Sequence, residues 1–268
     1  SVAWGGANGH AVWVVRYPHQ KDYVFAFKDG ETGQKIHEYR IDPGGNTDDE
    51  LFRTRVYDPR NRPWYKAAVA AGRPTWSKIF AWLIKDGSES ILGIGFAQPF
   101  RNAAGEVIGV IDTELSLHDV SKFLETVRVG TTGRAFVIDR KGGLIATSTG
   151  TPVTDKENEQ LAASEAINNY IAAAGKYLEN EFESLKTITV PYQFRLVIDE
   201  EPQLLMTSPF EHETGLSWLI ATVVPEGDFM AEIEAARRQN IKIGIAAVAI
   251  TVVLGLVLAI IAARAMLA

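Results

Sequence analysis

Apolar residues in this chain recur in short blocks separated by turn-forming pairs, a pattern that predicts strands. Residues 12–15 and 23–27 are β-branched and aromatic, Asp29-Gly30 is a turn signal, and residues 34–41 read as the returning strand. Residues 42–50 (DPGGNTDDE) are polar and predict a loop. An aromatic run follows at 75–83, then a turn at Asp86-Gly87, a strand at 91–100, a turn at 102–105 and a largely apolar strand at 107–115 that carries one acid in its middle, Asp112. Residues 117–127 have the spacing of a helix that leads into a second unit.

There, Arg134–Asp139 and Leu144–Thr147 flank a turn at Lys141-Gly142-Gly143. This hairpin is similar to the one around Asp29-Gly30, which suggests an internal duplication. Residues 159–182 place Leu161, Ile167, Tyr170, Ile171, Ala174, Leu178 and Phe182 at helical spacing. Strands are predicted at 187–190, 194–198, 204–208 and 218–224, with Glu200-Glu201-Pro202 as a turn. The expected architecture is α+β: antiparallel sheets with a few flanking helices. Pro225 opens a last helix, which continues into residues 243–263. That run of 21 residues carries no charge and matches the roughly 20 needed to span a bilayer.

The densest candidate chemistry is VYDPRNRPWY, residues 56–65, followed by KAAVAAG. It offers a guanidinium, an indole N–H and two phenols. Pro63 biases Arg62 towards an extended backbone and suits the first turn of a helix that Gly72 would end. Arg62 then stands at a helix N-terminus, a place that favours anions. Its planar fork pairs with a carboxylate, and Trp64 and Tyr57 add neutral donors. Asp112 on an apolar strand requires a cation or dense hydrogen bonding, and a ligand ammonium supplies the cation. Arg62 could instead form a structural ion pair with Asp58 or Asp112, and Trp64 and Tyr65 could anchor the core.

Composition narrows the alternatives. The 268 residues carry a net charge of −6 and no basic stripe interleaved with aromatics, which argues against nucleic acid as a partner. The absence of cysteine excludes disulfides, cysteine-ligated zinc and cysteine nucleophiles. The five histidines stand far apart, so no metal or cofactor is expected. Gly-x-Ser-x-Gly, His-Glu-x-x-His and Walker motifs are missing from the sequence, which points to binding rather than catalysis.

The segments YDPRNRPWYKAA, GEVIGVIDTELSL, GRAFVIDRKGGLIAT and WLIATVVPEGDFM resemble the double Cache sensor family. The resemblance covers most of residues 10 to 240. It implies two PAS-like units: a ligand-binding membrane-distal unit at 1–118 and a membrane-proximal unit at 119–228. A juxtamembrane helix at 229–242 and a transmembrane helix at 243–263 would follow. It also implies a long N-terminal helix and a first transmembrane helix upstream of Ser1, so the chain reads as N-terminally truncated. Amino-acid-binding members use a Tyr-x4-Arg-x-Trp-Tyr segment, a later Tyr and a later Asp. By position these are Tyr57, Arg62, Trp64, Tyr65 and Asp112, with Phe80 standing where the later Tyr is expected. Phe80 keeps an aromatic wall but removes a hydroxyl.

The resemblance further implies a bacterial inner-membrane receptor with residues 1–240 extracytoplasmic, a homodimer, and an output module beyond Ala268. The expected ligand is an amino acid, an amine or a small carboxylate. Two alternatives stay open: an ectodomain whose vestigial pocket has ceded control to a protein partner, and a membrane-anchored enzyme.

Overall fold

The computed structural model describes residues 1–17, 22–42, 44–82, 91–157 and 159–228. The first hairpin joins β1 (Val2–Gly6) to β2 (Ala11–Val15). Its turn closes through Gly9, whose φ of +86° suits glycine. Strands β3 (Tyr23–Lys28), β4 (Lys35–Ile41) and β5 (Thr47–Val56) continue the meander. The Asp29 carboxylate closes the β3–β4 turn by accepting from the Glu31 and Thr32 amides, each at 3.0 Å. The predicted polar loop at 42–50 is shorter than expected. Its second half, from Thr47, belongs to β5, an edge strand whose alternating polar residues gave no apolar signal.

Asp58 then caps a 3-10 turn at Pro59–Asn61 by accepting from the Arg60 amide at 3.0 Å. Helix α1 (Pro63–Ala71) starts at its proline and stops at Gly72, which has a φ of +64°. The short strands β6 (Thr75–Trp76) and β7 (Phe80–Ala81) follow, then the long hairpin of β8 (Leu92–Arg101) and β9 (Val107–Ser116). All pairings are antiparallel, and β9 returns to lie beside β1 in a nine-stranded sheet of order β5-β4-β3-β2-β1-β9-β8-β6, with β7 also on β8. Ser116 caps α2 (Leu117–Thr126), whose predicted extent is matched closely.

The second sheet contains β10 (Arg134–Asp139), β11 (Leu144–Thr147), β12 (Tyr192–Ile198), β13 (Glu201–Glu211) and β14 (Ser217–Pro225). Its order is β11-β10-β14-β13-β12. The run β2-β1-β9-β8-β6 repeats this topology in the first sheet: an opening hairpin, then a closing hairpin whose last strand pairs with the first. The counterpart of the β10–β11 hairpin is therefore β1–β2, around Asn8-Gly9, and not the hairpin at Asp29-Gly30. Strands β3 to β5 extend the first sheet beyond the repeat.

Helix α3 (Asn169–Glu181) is shorter than its apolar periodicity suggested. Asn168 caps it, accepting from the Tyr170 and Ile171 amides at 3.1 and 3.2 Å, so residues 159–167 stay outside the helix. The strand predicted at 187–190 is not formed, and a 3-10 turn at Leu185–Thr187 stands in its place. The β12–β13 turn is made by Asp199 and Glu200, both at positive φ, which moves Glu201 and Pro202 into β13.

Three apolar clusters hold the fold. One lies under α1 in the first sheet and includes Trp13, Ile36 and Trp64, and one lies under α3 in the second with Phe136, Ile171 and Leu205. A third joins the two sheets through Leu92, Leu117, Leu124, Val137 and Ile145. Helix α3 touches the backbone of Ala163 and Ser164, because a Cβ on Gly175 would lie 2.5 Å from the Ser164 nitrogen. Gly175→Ala is therefore expected to destabilise by about 2 kcal/mol, opposite to the gain of about 1 kcal/mol that alanine brings to an open helix. Thermal melting of the two chains checks this.

Residues 226–228 open a helix, and Asp228 Oδ2 accepts from the Thr131 and Thr132 amides at 2.8 and 2.6 Å. Among the described residues no helix is long and apolar enough to cross a membrane. The predicted juxtamembrane and transmembrane segments, 229–242 and 243–263, lie outside the described residues, as does the turn at Asp86-Gly87.

Candidate functional site

A pocket of about 430 Å³, part of it open to solvent, lies on the inner face of the first sheet. Its walls are Ala3 of β1, Trp13 and Val15 of β2, Tyr17, Arg55 of β5, and Tyr57, Arg62, Phe80 and Trp82 from the segments that cross this face, with Ser1 and Glu114 completing it. Three of the residues singled out in the sequence meet here. Tyr57 is buried and packs edge-on against Trp13, with ring centroids 4.7 Å apart. The Arg62 guanidinium stands 5.2 Å from the centre of the Phe80 ring and donates from Nη2 to the Ala81 carbonyl at 3.2 Å. Arg62 is not paired with Asp58, which binds Arg60 instead at 2.8 Å.

Trp64 and Tyr65 sit behind this wall. Trp64 is 1% exposed, and the tip of its indole would touch a Cβ on Gly5 at 2.8 Å. The two rings pack edge to face at 5.8 Å in the core. They anchor α1, and thereby fix where Arg62 leaves the helix.

Asp112 lies one step along the same face of β9 from Glu114. Its backbone pairs with Ala3 on one side and Ala97 on the other. The carboxylate leans over Gly95, where a Cβ would meet Oδ1 at 2.5 Å, so only glycine leaves it room. Asp112 is 1% exposed, and neither of its oxygens has a hydrogen-bond partner among the described residues. Burial, and then the negative charge of Glu114, push its carboxyl up to about 9. Glu114 itself accepts from Ser1 Oγ at 3.0 Å.

Two wall residues, Tyr17 and Arg55, and the charged pair behind them, Glu38 and Arg53, escaped the sequence reading. Glu38 is fully buried on β4. Arg53 donates to its Oε2 from Nε at 3.0 Å and from Nη2 at 2.6 Å, and Arg55 Nη2 lies 3.0 Å from its Oε1. Arg53 also donates to the Tyr17 hydroxyl at 2.9 Å. Burial, followed by the Glu38 charge, raises the Tyr17 phenol to about 12, and burial raises Tyr57 as well, so both phenols remain neutral donors. The period-two spacing of Arg53 with Arg55 and of Asp112 with Glu114 carried a signal: on a strand, each pair must share a face. Trp82 covers the sheet at Gly93, where a Cβ would fall 2.1 Å from Nε1. Gly93, Gly95 and Ala97 thus form a row of small residues along β8 that makes room for the pocket's side chains.

Chemically, this wall joins two guanidiniums, two phenols and a carboxylate to aromatic faces, with a second carboxylate buried alongside. Such a set suits a small zwitterion, whose carboxylate and ammonium need opposite partners in a partly dry space.

Comparison with known proteins gives a consistent picture. Residues 96–239 match the model of the Cache 3/Cache 2 fusion domain. Residues 7–122 match that of the methyl-accepting chemotaxis protein-like first PDC sensor domain. Methyl-accepting chemotaxis protein PctB of Pseudomonas aeruginosa is 26% identical over 204 residues, which cover 75% of this chain and 28% of that protein. Methyl-accepting chemotaxis protein McpA of Pseudomonas putida is 31% identical over 120 residues, 44% of this chain and 17% of that one. The chain therefore spans only about a quarter or less of the length of these curated relatives. Among solved structures, the ligand-binding domain of PctB in complex with L-Arg has a TM-score of 0.47 at 20% identity, covering 84% of this chain and 71% of that one. A structure of methyl-accepting chemotaxis protein X gives 0.49 at 19% identity, with 84% and 74% covered. The fusion-domain match takes in more than half of the chain, and on that ground the chain belongs to the Cache sensor-domain family, as a Cache 3/Cache 2 fusion domain.

Proposed function

We propose that this chain is the extracytoplasmic sensing region of a bacterial membrane receptor, and that its distal pocket binds an amino acid, an amine or a small carboxylate. The observation that carries this reading is Asp112, buried and unpartnered beside a pocket whose wall holds Arg62 and Glu114. In this reading Arg62 holds the ligand carboxylate, Asp112 with Glu114 holds the ammonium, Tyr57 adds a neutral donor and Phe80 closes the aromatic wall. Trp64 and Tyr65 act by holding α1. The family match and the chemotaxis receptors among the relatives support a role in signal transduction.

Residues 1–118 form the sensing unit in this proposal and 119–228 the transmitting one. Two contacts favour such coupling: Thr75 Oγ1 and the Trp76 amide both donate to the Thr214 carbonyl at 3.4 Å, and the Leu117–Leu124 face of α2 packs between the sheets. A ligand would shift the receptor only by its different affinity for two arrangements of these units. The signal would then leave through the helix that opens at residue 226, across a membrane span at 243–263, in a homodimer.

Calorimetric titration of the full chain with a panel of amino acids, amines and small carboxylates tests the reading. A charge-assisted contact contributes about 1.5–3 kcal/mol, so Arg62→Ala is expected to weaken binding by roughly 10- to 150-fold. A ligand whose affinity is unchanged in Arg62→Ala would move the site elsewhere, and turnover of a bound solute would make the protein an enzyme.

A further inference from the structure

Arg55 is a second cation on the pocket wall, on a different part of it from Arg62. Its guanidinium lies 5.6 Å from the centre of the Trp13 ring, next to the Arg53–Tyr17–Glu38 cluster, whereas Arg62 lies against Phe80. One nitrogen, Nη2, faces Glu38 at 3.0 Å. The other two, Nε and Nη1, are shielded from water and find no acceptor among the described residues. Glu38 Oε2 already takes two bonds from Arg53, and Oε1, the oxygen that Nη2 faces, makes no well-formed hydrogen bond either.

Donors on a charged group are rarely left unmet in a protein interior. They persist at ligand sites, where the missing acceptor arrives with the ligand. The acceptor called for here is anionic, since Arg55 shares its one carboxylate with Arg53 and carries a full charge of its own. Arg55 and Trp13, over which the guanidinium stands, both line the pocket, so this cation is within reach of a bound ligand.

We propose that Arg55 determines the specificity of this pocket by pairing with a second anionic group of the ligand, which makes the preferred ligand an acidic α-amino acid. This inference rests on the amino-acid reading above: Arg62 takes the α-carboxylate, Asp112 and Glu114 take the ammonium, and Arg55 takes the side-chain carboxylate. The neutral amide of the same shape presents only a weaker carbonyl acceptor and adds two donors, which face a cation.

The test is calorimetric titration of the full chain at neutral pH with L-glutamate, L-aspartate, L-glutamine and L-asparagine, with tryptophan fluorescence as a second readout. The expected result is that one of the acids binds at least tenfold more tightly than its amide. In Arg55→Gln the ratio of acid to amide affinity is expected to fall to about one, and Arg55→Lys is expected to keep part of the preference. Equal binding of acid and amide by the wild-type chain would overturn the inference and leave the amino-acid reading intact. So would an acid preference that survives in Arg55→Gln. Binding of none of the four, with a neutral amino acid bound, would also remove only this inference, whereas silence across every amino acid would remove both. Equal binding by the wild-type chain overturns the inference even if Arg55→Gln does not fold, and Arg55→Lys, which keeps the charge, then serves as the variant that ties a preference to Arg55.

Discussion

Asp112→Asn is expected to make the empty protein more stable and to weaken its hold on an amine. The folded carboxyl titrates near 9 and the unfolded one near 3.8. Between those values the folded state binds one more proton than the unfolded state, so stability falls as pH rises, with a limiting slope of about 1.4 kcal/mol per pH unit. The contribution is fully present below pH of about 4 and is lost as pH climbs through about 9. Asparagine does not ionise, so it removes this slope. At neutral pH the variant should gain about 2 kcal/mol, because the buried amide still lacks partners and returns part of the benefit. For a chain of this size that raises the melting temperature by roughly 4–8 °C. Binding of any ligand ammonium should weaken by about two orders of magnitude, the worth of a charge-assisted hydrogen bond in a dry site. Melting curves from pH 5 to 9, with and without ligand, check both halves. A wild-type curve that does not fall with pH, or a variant that melts lower, would mean that Asp112 is satisfied in some other way. Stability gained by removing a functional charge is the usual mark of a binding site.

Glu38→Ala is expected to give the largest loss of stability. The carboxylate is fully buried and serves Arg53 and Arg55 together. Removing it leaves two neighbouring guanidiniums on one face of β5 without their shared anion, and breaking a buried ion pair from one side costs about 3–5 kcal/mol. A fall in melting temperature on the order of 10 °C follows. Glu38→Gln keeps an acceptor for Arg53 and should lose less. The Tyr17 phenol offers a second readout. Glu38 contributes to holding it near 12, so its spectroscopic titration should begin at lower pH in Glu38→Gln. An alanine variant that melts within a degree or two of wild type would show that the cluster is solvated and the electrostatic account wrong.

Much of the fold was legible because local patterns do not depend on the rest of the chain. Alternating apolar residues marked β2, β3, β8, β9, β10 and β11, and Pro63 with Gly72 bounded α1 from dihedral preference alone. The failures have two causes: tertiary pairing outweighed the apolar pattern in β1 and β5, and a local cap outweighed it at α3. Strand β5 is polar along most of its length and exists because β4 pairs with it. Periodicity continued upstream of α3, but Asn168 satisfied the free amides first. Strand β1, Val-Ala-Trp-Gly-Gly, is short and rich in small residues, yet it lies between β2 and β9 near the middle of the larger sheet.

The site divides along the same line. By itself the sequence put Tyr57 and Arg62 in one donor-rich segment and Asp112 on an apolar strand where it needs a cation or dense hydrogen bonding, and the family resemblance added Phe80. Only the tertiary structure decided that Arg55 reaches the pocket, that Trp82 covers Gly93, that Asp112 lies over Gly95, and that Trp64 and Tyr65 turn into the core. Chain order carries dihedral preference and the two-residue or 3.6-residue period. Which strands become neighbours is set by burying the apolar faces of the whole sheet at once, and the pocket is assembled from strands that meet only there.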